Sequence, residues 1–245
     1  MTAQDNAKVA NPSVPIIASS LIGAHPAPPE VRRILARTAK RYRCCSRFAR
    51  NYVPAKLRAD PVHREILALA AFDAFGSVLD VGCGYGQLGL ALLEAGLADS
   101  VLGLDRSGKH LQQAQMAARM QPFQARLQDL EQVPALSKAD TVLLIDVLYQ
   151  LSRTAQDCLV EQAGRAARRW VIVRTCDLEQ GMRSRFSSSI ERLFRLVWPN
   201  AGRYVNPRPI SSLTEILERA GFVVECRPCW QGTPFANVLV IAGRL

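Results

Sequence analysis

The sequence predicts an α/β fold: a doubly wound sheet of seven strands, mostly parallel with an antiparallel last strand, behind an N-terminal helical cap. Three observations predict it. From Ser77 onward, short apolar runs alternate with helix-period segments, the pattern of a parallel sheet with helices on both faces. The first run leads into alternating glycines, Gly82, Gly84 and Gly86, and then a helix. The last two runs, 222–226 and 236–242, have no helix between them, so they should pair antiparallel at the edge of the sheet.

The elements follow in order. Residues 1–29 are rich in Ala, Pro and Ser and read as a mobile tail. They lack the basic start, apolar stretch and cleavage site of a secretory signal. Residues 30–76 form a helical cap segment: Val31, Ile34 and Leu35 open an apolar stripe, and Asp60-Pro61 reads as a cap and first helical position. The domain proper spans 77–245. Its expected strands are 77–81, 100–104, 123–127, 141–145 and 170–174, with helices at 87–95, 108–120 and 155–168. The run Thr141–Ile145 is almost continuously apolar, as a central parallel strand should be. An Arg-rich, aromatic segment near 182–200 breaks the rhythm and reads as an inserted helix. Ser211 or Ser212 should cap a further helix that Gly221 stops.

Composition narrows the class. With 49% hydrophobic residues in 245, the chain builds a core and is not a disordered segment. No apolar run reaches the roughly 18 residues of a membrane helix. Its seven cysteines are scattered and odd in number, which points to reduced thiols and a cytoplasmic setting. Cys226 and Cys229 have the spacing of half a zinc site, but no second pair follows, so no metal is expected. There are 31 Lys and Arg against 21 Asp and Glu, a formal charge of +10. Such a surface attracts polyanions without choosing among them.

The segment 78–87, VLDVGCGYGQ, carries most of the information. Glycine at alternate positions lets a ligand come within contact distance of backbone. Gly84 and Gly86 also satisfy the dinucleotide pattern with Gly89, in which a helix N-terminus holds a pyrophosphate. Asp80 opposes that reading, because its charge just before the loop repels phosphate and suits an ammonium. Acids then recur strand by strand: Asp105, Asp129 and Asp146 follow the second, third and fourth expected strands. Side chains at the carboxyl ends of parallel strands face the ligand crevice. Four carboxylates there suit a ligand with hydroxyls, an exocyclic amine, an ammonium and a sulfonium, and no phosphate.

These residues bring a family into view. The loop 78–86, Asp105 within Gly103-Leu104-Asp105-Arg106-Ser107, and Asp146 within Asp146-Val147-Leu148-Tyr149-Gln150-Leu151 resemble the motifs of class I S-adenosylmethionine-dependent methyltransferases. The resemblance covers about Ser77 to the C-terminus and implies a Rossmann-like fold with S-adenosyl-L-methionine as cofactor. It implies that Gly82, Gly84 and Gly86 line the methionine part, with Asp80 behind them. Asp105, followed by Arg106, takes the ribose hydroxyls. Asp129 and the Leu130 backbone meet the adenine edge, and Asp146 lies near the methionine ammonium.

Methyl transfer asks a protein mainly to align nucleophile, methyl and sulfur; a base helps only when the nucleophile must lose a proton. Two candidates stand out: first Tyr149, where the family's substrate-facing loop begins, and after it His63 in the cap, which reads more readily as a packed or solvated side chain. The absence of Asn-Pro-Pro-Tyr, Asp-Pro-Pro-Tyr or Pro-Cys after the fourth strand argues against methylation of base amino groups and of cytosine carbon. Nucleic acid is therefore not the expected partner. Segments 47–49, 56–61, 174–177 and 232–239 further resemble methyltransferases of bacterial aryl-polyene and xanthomonadin-type pigment clusters. That likeness implies a small or acyl-carrier-protein-bound acceptor, an aromatic polyene or polyketide-type precursor. An inactive S-adenosylmethionine-binding module and an RNA methyltransferase are the alternatives.

Overall fold

A computed structural model of the chain describes residues 29–133, 135–176, 206, 208–231 and 236–244. Of the expected tail over 1–29, residues 1–28 lie outside these residues, as does the expected inserted helix over 182–200, while Pro29 opens the first helix.

The cap consists of three helices: α1 (Pro29–Arg41), α2 (Arg47–Ala59) and α3 (Val62–Phe72). Its breaks follow local chemistry. Ser46 Oγ accepts from Ala49 N at 3.3 Å and starts α2. Asp60 Oδ1 accepts from Val62 N at 3.1 Å, so the acid before Pro61 does serve the next helix. The domain then runs β1 (Ser77–Val81), α4 (Gln87–Glu94), β2 (Ser100–Asp105), α5 (Gly108–Ala118), β3 (Phe123–Leu127), β4 (Ala139–Ile145), α6 (Arg153–Ala166), β5 (Ala167–Cys176), α7 (Ile210–Arg219), β6 (Val223–Pro228) and β7 (Asn237–Gly243). The start of α7 differs from the expected serine cap. The residue before α7 is Pro209, and Ser212 lies inside the helix, accepting from Arg208 Nε at 2.8 Å. Proline sets the backbone for a first turn without a side-chain cap. Gly221, at φ +84°, follows the end of α7 as expected.

The seven strands lie in the order β3-β2-β1-β4-β5-β7-β6. Every pair from β3 to β5 is parallel, while β7 runs antiparallel to both β5 and β6. The last strand thus inserts between β5 and the edge strand β6. Two apolar layers sandwich the sheet. On one face the cap, α4 and α5 bury Tyr42, Ile66, Leu90 and Leu143. On the other, α6 and α7 bury Leu79, Leu144, Leu159 and Leu217.

Strand order reverses between β1 and β4, the point where open α/β sheets place their ligand crevice. Register aligns the rim there: Asp80 pairs with Gly103 and Leu143, and Ile145 with Arg174. The cap is fastened along α4, from its C-terminal end to the glycine loop at this rim. Arg41 Nε binds Glu94 at 2.8 Å, and the Tyr42 hydroxyl donates to the Tyr85 carbonyl in the glycine loop at 2.7 Å.

Candidate active site

At the crevice lies a cavity of about 820 Å³, in the size range of small-molecule sites. The sheet side supplies Asp80, Gly82, Gly84, Asp105, Arg106, Asp129, Leu130 and Asp146; the cap supplies Phe48, Tyr52, Lys56, Val62 and His63. Residues far apart in sequence therefore share one chamber.

The loop is laced to β2. The Gly82 and Cys83 amides both donate to the Leu104 carbonyl, at 2.7 and 3.0 Å, and the Gly84 amide donates to Asp105 Oδ2 at 2.9 Å. The three glycines are needed for different reasons, though all have positive φ. A Cβ on Gly82 would stand 2.6 Å from Val147, and one on Gly86 2.7 Å from Phe123, so those two permit close packing. A Cβ on Gly84 would meet nothing within 4 Å; this glycine faces open space in the cavity wall. Gly86 is not part of that wall.

Asp105 takes a second amide, Ser107 N, at 2.8 Å, while His110 Nδ1 stands 3.9 Å away. Asp129 sits at the cavity edge, accepting from Glu131 N at 3.1 Å, and the buried Leu130 follows it. Asp80 is buried at 3% exposure, and among the described residues no donor reaches its carboxylate. Burial, then the Asp105 charge, raises its pKa to about 7.

Asp146 adopts φ +59°, an uncommon left-handed conformation at a strand end. Its carboxylate is held by Arg174, with Nε at 2.8 Å, and Lys56 Nζ lies 3.9 Å from it. The same Arg174 reaches Asp60, with Nη2 to Oδ2 at 2.9 Å. Hydrogen bonding and charge from Arg174 overcome burial and hold the Asp60 carboxyl far below the carboxylate range. His63, 1% exposed, places Nδ1 3.3 Å from the Asp60 carbonyl. Burial lowers its pKa to about 4, so the ring is neutral near pH 7. If Nδ1 carries the proton for that carbonyl, Nε2 is left with a free lone pair.

Tyr149 is placed otherwise than its motif implies. It is 5% exposed in a short 3-10 turn, does not line the cavity, and burial pushes its phenol well up. Its neighbours Gln150 and Leu151 line the chamber instead. Sequence reasoning missed Lys56, Arg174 and Tyr52 as site residues, and took Asp60 only as a helix cap. Two signals were present: an arginine closing an otherwise apolar strand, and Phe48, Tyr52 and Lys56 at i, i+4 and i+8 on one helix face.

Residues 78–170 match the family model of a methyltransferase domain. Among solved structures the chain is similar to magnesium protoporphyrin IX methyltransferase from Synechocystis PCC 6803 with bound SAH, at 20% identity and TM-score 0.59, covering 86% of this chain and 94% of that one. It is similar to the N-methyltransferase NodS from Bradyrhizobium japonicum in complex with S-adenosyl-L-homocysteine, at 14% and 0.57, over 88% and 98%. The pyocyanin biosynthetic protein PhzM shares 25% at TM-score 0.56, over 86% of this chain and 62% of that one. No curated protein matches by sequence. Residues 78–170 thus match a methyltransferase domain, and the fold is that of Rossmann-like methyltransferases solved with S-adenosylmethionine or its demethylated product bound. The chamber fits that cofactor, since Gly84 opens on free space and Asp80 is a buried carboxylate awaiting a cationic donor.

Proposed function

We propose that this chain methylates a small or carrier-bound organic acceptor, an aromatic polyene or polyketide-type precursor. The observation that carries the reading is the continuity of the chamber, which runs from Asp105 and Gly84 to Phe48, Tyr52 and His63 under the cap. S-adenosylmethionine supplies a methyl group already activated on its sulfonium. Gly82 and Gly84 flank its methionine part, Asp80 and Asp146 its ammonium, Asp105 and Arg106 its ribose, and Asp129 with Leu130 its adenine. His63, neutral near pH 7 and lining the chamber, is the candidate base for an acceptor that must lose a proton. The walls of the chamber would hold acceptor and cofactor in line for that transfer and keep water out.

The same reading separates 30–76 as the cap from 77–245 as the catalytic domain. It also gives the surface basic residues a role. Arg43, Arg47 and Arg50 are exposed beside the cavity mouth, where Ser46 and Phe48 line it. An acidic acyl carrier protein would be steered there, gaining on-rate more than affinity.

Isothermal titration with S-adenosylmethionine and S-adenosylhomocysteine tests the first half: both should bind, and failure of both to bind defeats it. Mass spectrometry of a native extract incubated with the protein should show a product heavier by one methyl group. Reversing charge at Arg43, Arg47 and Arg50 should slow methylation of a carrier-bound acceptor in low salt and leave cofactor affinity alone. A wild-type rate in that variant rules out carrier docking.

A further inference from the structure

Lys56 is an unusual presence in this chamber. Its side chain is 21% exposed, and its nearest carboxylate oxygen, on Asp146, is 3.9 Å away, beyond a hydrogen bond. Asp146 is meanwhile gripped by Arg174, and so is Asp60. Among the described residues the three N–H donors of the Lys56 ammonium have no acceptor, and they face the cavity.

The charged and titratable groups around it keep it a cation. Burial alone would push its pKa down, but Tyr52, Asp146 and Asp60 outweigh burial and the opposing Arg174 charge, and hold it above the ordinary value. Asp80 and neutral His63 complete its surroundings. Lys56 also ends a stripe. Phe48, Tyr52 and Lys56 recur every four residues along α2, and all three line the chamber. Phe48 stacks on Tyr52 at 5.4 Å between ring centroids, and Tyr52 meets Tyr85 of the glycine loop at 5.6 Å. Two aromatic side chains thus lead inward from the exposed Phe48 to one cation. Gln87 Oε1, buried in the same wall, has no hydrogen-bond partner.

We infer that Lys56 selects the methyl acceptor, which is a planar conjugated molecule carrying an acidic oxygen whose oxyanion the Lys56 ammonium binds. This rests on the methyltransferase reading above and deepens it. The aromatic stripe accepts the flat body of the acceptor, and the ammonium accepts its charged end. A phenol and a carboxylic acid both supply such an oxygen. Desolvation inside the chamber strengthens the pair relative to water.

The test uses the protein saturated with S-adenosylhomocysteine and para-nitrophenol as probe, whose phenolate is yellow. Bound beside an ammonium, the probe should ionise about 1 pH unit or more below its value in water. In Lys56→Met that shift should vanish and probe binding weaken by about 10- to 100-fold, and Lys56→Arg should restore part of both. Circular dichroism and thermal melts show that both variants are folded, and S-adenosylhomocysteine affinity should fall by much less than probe affinity. Benzoate should displace the probe and benzamide should not if the natural group is a carboxylate. Displacement by phenols but not by benzoate assigns a phenol. A loss of S-adenosylhomocysteine affinity in Lys56→Met as large as the loss of probe affinity would make Lys56 part of the cofactor site and overturn the inference. So would the absence of any binding by para-nitrophenolate and benzoate, or equal binding by neutral and charged probes. Failure of the wild-type protein to bind S-adenosylhomocysteine strikes the methyltransferase reading instead.

Discussion

Arg174, at the end of β5, holds Asp146, just past the end of β4, and with the same guanidinium reaches Asp60 at the junction of α2 and α3. One buried cation therefore fixes a rim acid of the sheet and ties the cap down over the crevice. Arginine suits the task because its planar fork presents fixed pairs of donors, where a lysine ammonium offers a single point charge.

Arg174→Met should cost stability well beyond an average substitution. Both acids would remain largely buried with only the more distant Lys56 charge beside them, and breaking a buried pair in this way costs about 3–5 kcal/mol. Chemical denaturation of the variant measures it. A loss below about 1 kcal/mol, the scale of an exposed pair, would show that water already screens the network.

The glycine loop gives a contrast between neighbours. Gly84→Ala should fold, with a penalty of about 1–3 kcal/mol for a residue held in the left-handed region, and should bind S-adenosylmethionine poorly, because the methyl group enters the cavity. Gly82→Ala carries the same backbone penalty and also drives its Cβ to 2.6 Å from Val147, so it should be markedly less stable than Gly84→Ala. Thermal melts with and without cofactor separate the two. If the cofactor raises the melting temperature of Gly84→Ala as much as that of the wild type, this glycine does not border the cofactor.

The rim acids were legible because strand ends, glycines and acids are local in sequence: Asp80, Asp105 and Asp129 all stand where periodicity puts them. Lys56, Asp60 and Arg174 were not, because their meeting depends on how the cap lies on the sheet, and no local pattern encodes that angle. Asp60 was read as a helix cap and is one; a single carboxylate serving two elements has no periodic signature. Tyr149 shows the opposite failure. Its position in the motif was clear, but the 3-10 turn carries its side chain into the core and brings Gln150 to the cavity.

Asp105→Ala should weaken S-adenosylmethionine binding by about 1.5–3 kcal/mol, the range for hydrogen bonds to a charged group. The structure adds a second cost, since Asp105 also receives the Gly84 and Ser107 amides at 2.9 and 2.8 Å. Asp105→Asn keeps one acceptor and should fall between. Calorimetric titration of the three proteins orders them, and equal affinities would remove Asp105 from the cofactor site.

Asp80 should make cofactor binding depend on pH. Its pKa of about 7 in the free protein means that the carboxyl is largely protonated at pH 6. A cofactor ammonium placed beside it favours the ionised form, so binding below pH 7 must release a proton. Affinity should fall by up to about tenfold per pH unit below 7 and level off above it, as one linked proton requires. Asp80→Asn should flatten that slope. Stability of the ligand-free protein is a less direct readout. Between the ordinary 3.8 and about 7 the folded state holds the Asp80 proton more tightly than the unfolded chain, so this group makes stability fall as pH rises. His63 acts oppositely. Its pKa is lowered from 6.5 to about 4, so the unfolded chain takes up the proton first and stability rises with pH across that window. The two trends partly offset each other in the wild type. Asp80→Asn should therefore expose a stability that rises with pH from about 4 to 6.5, and His63→Gln one that falls from about 4 to 7. Urea titrations at three pH values measure both slopes, and slopes of the same sign in the two variants would refute the assignment.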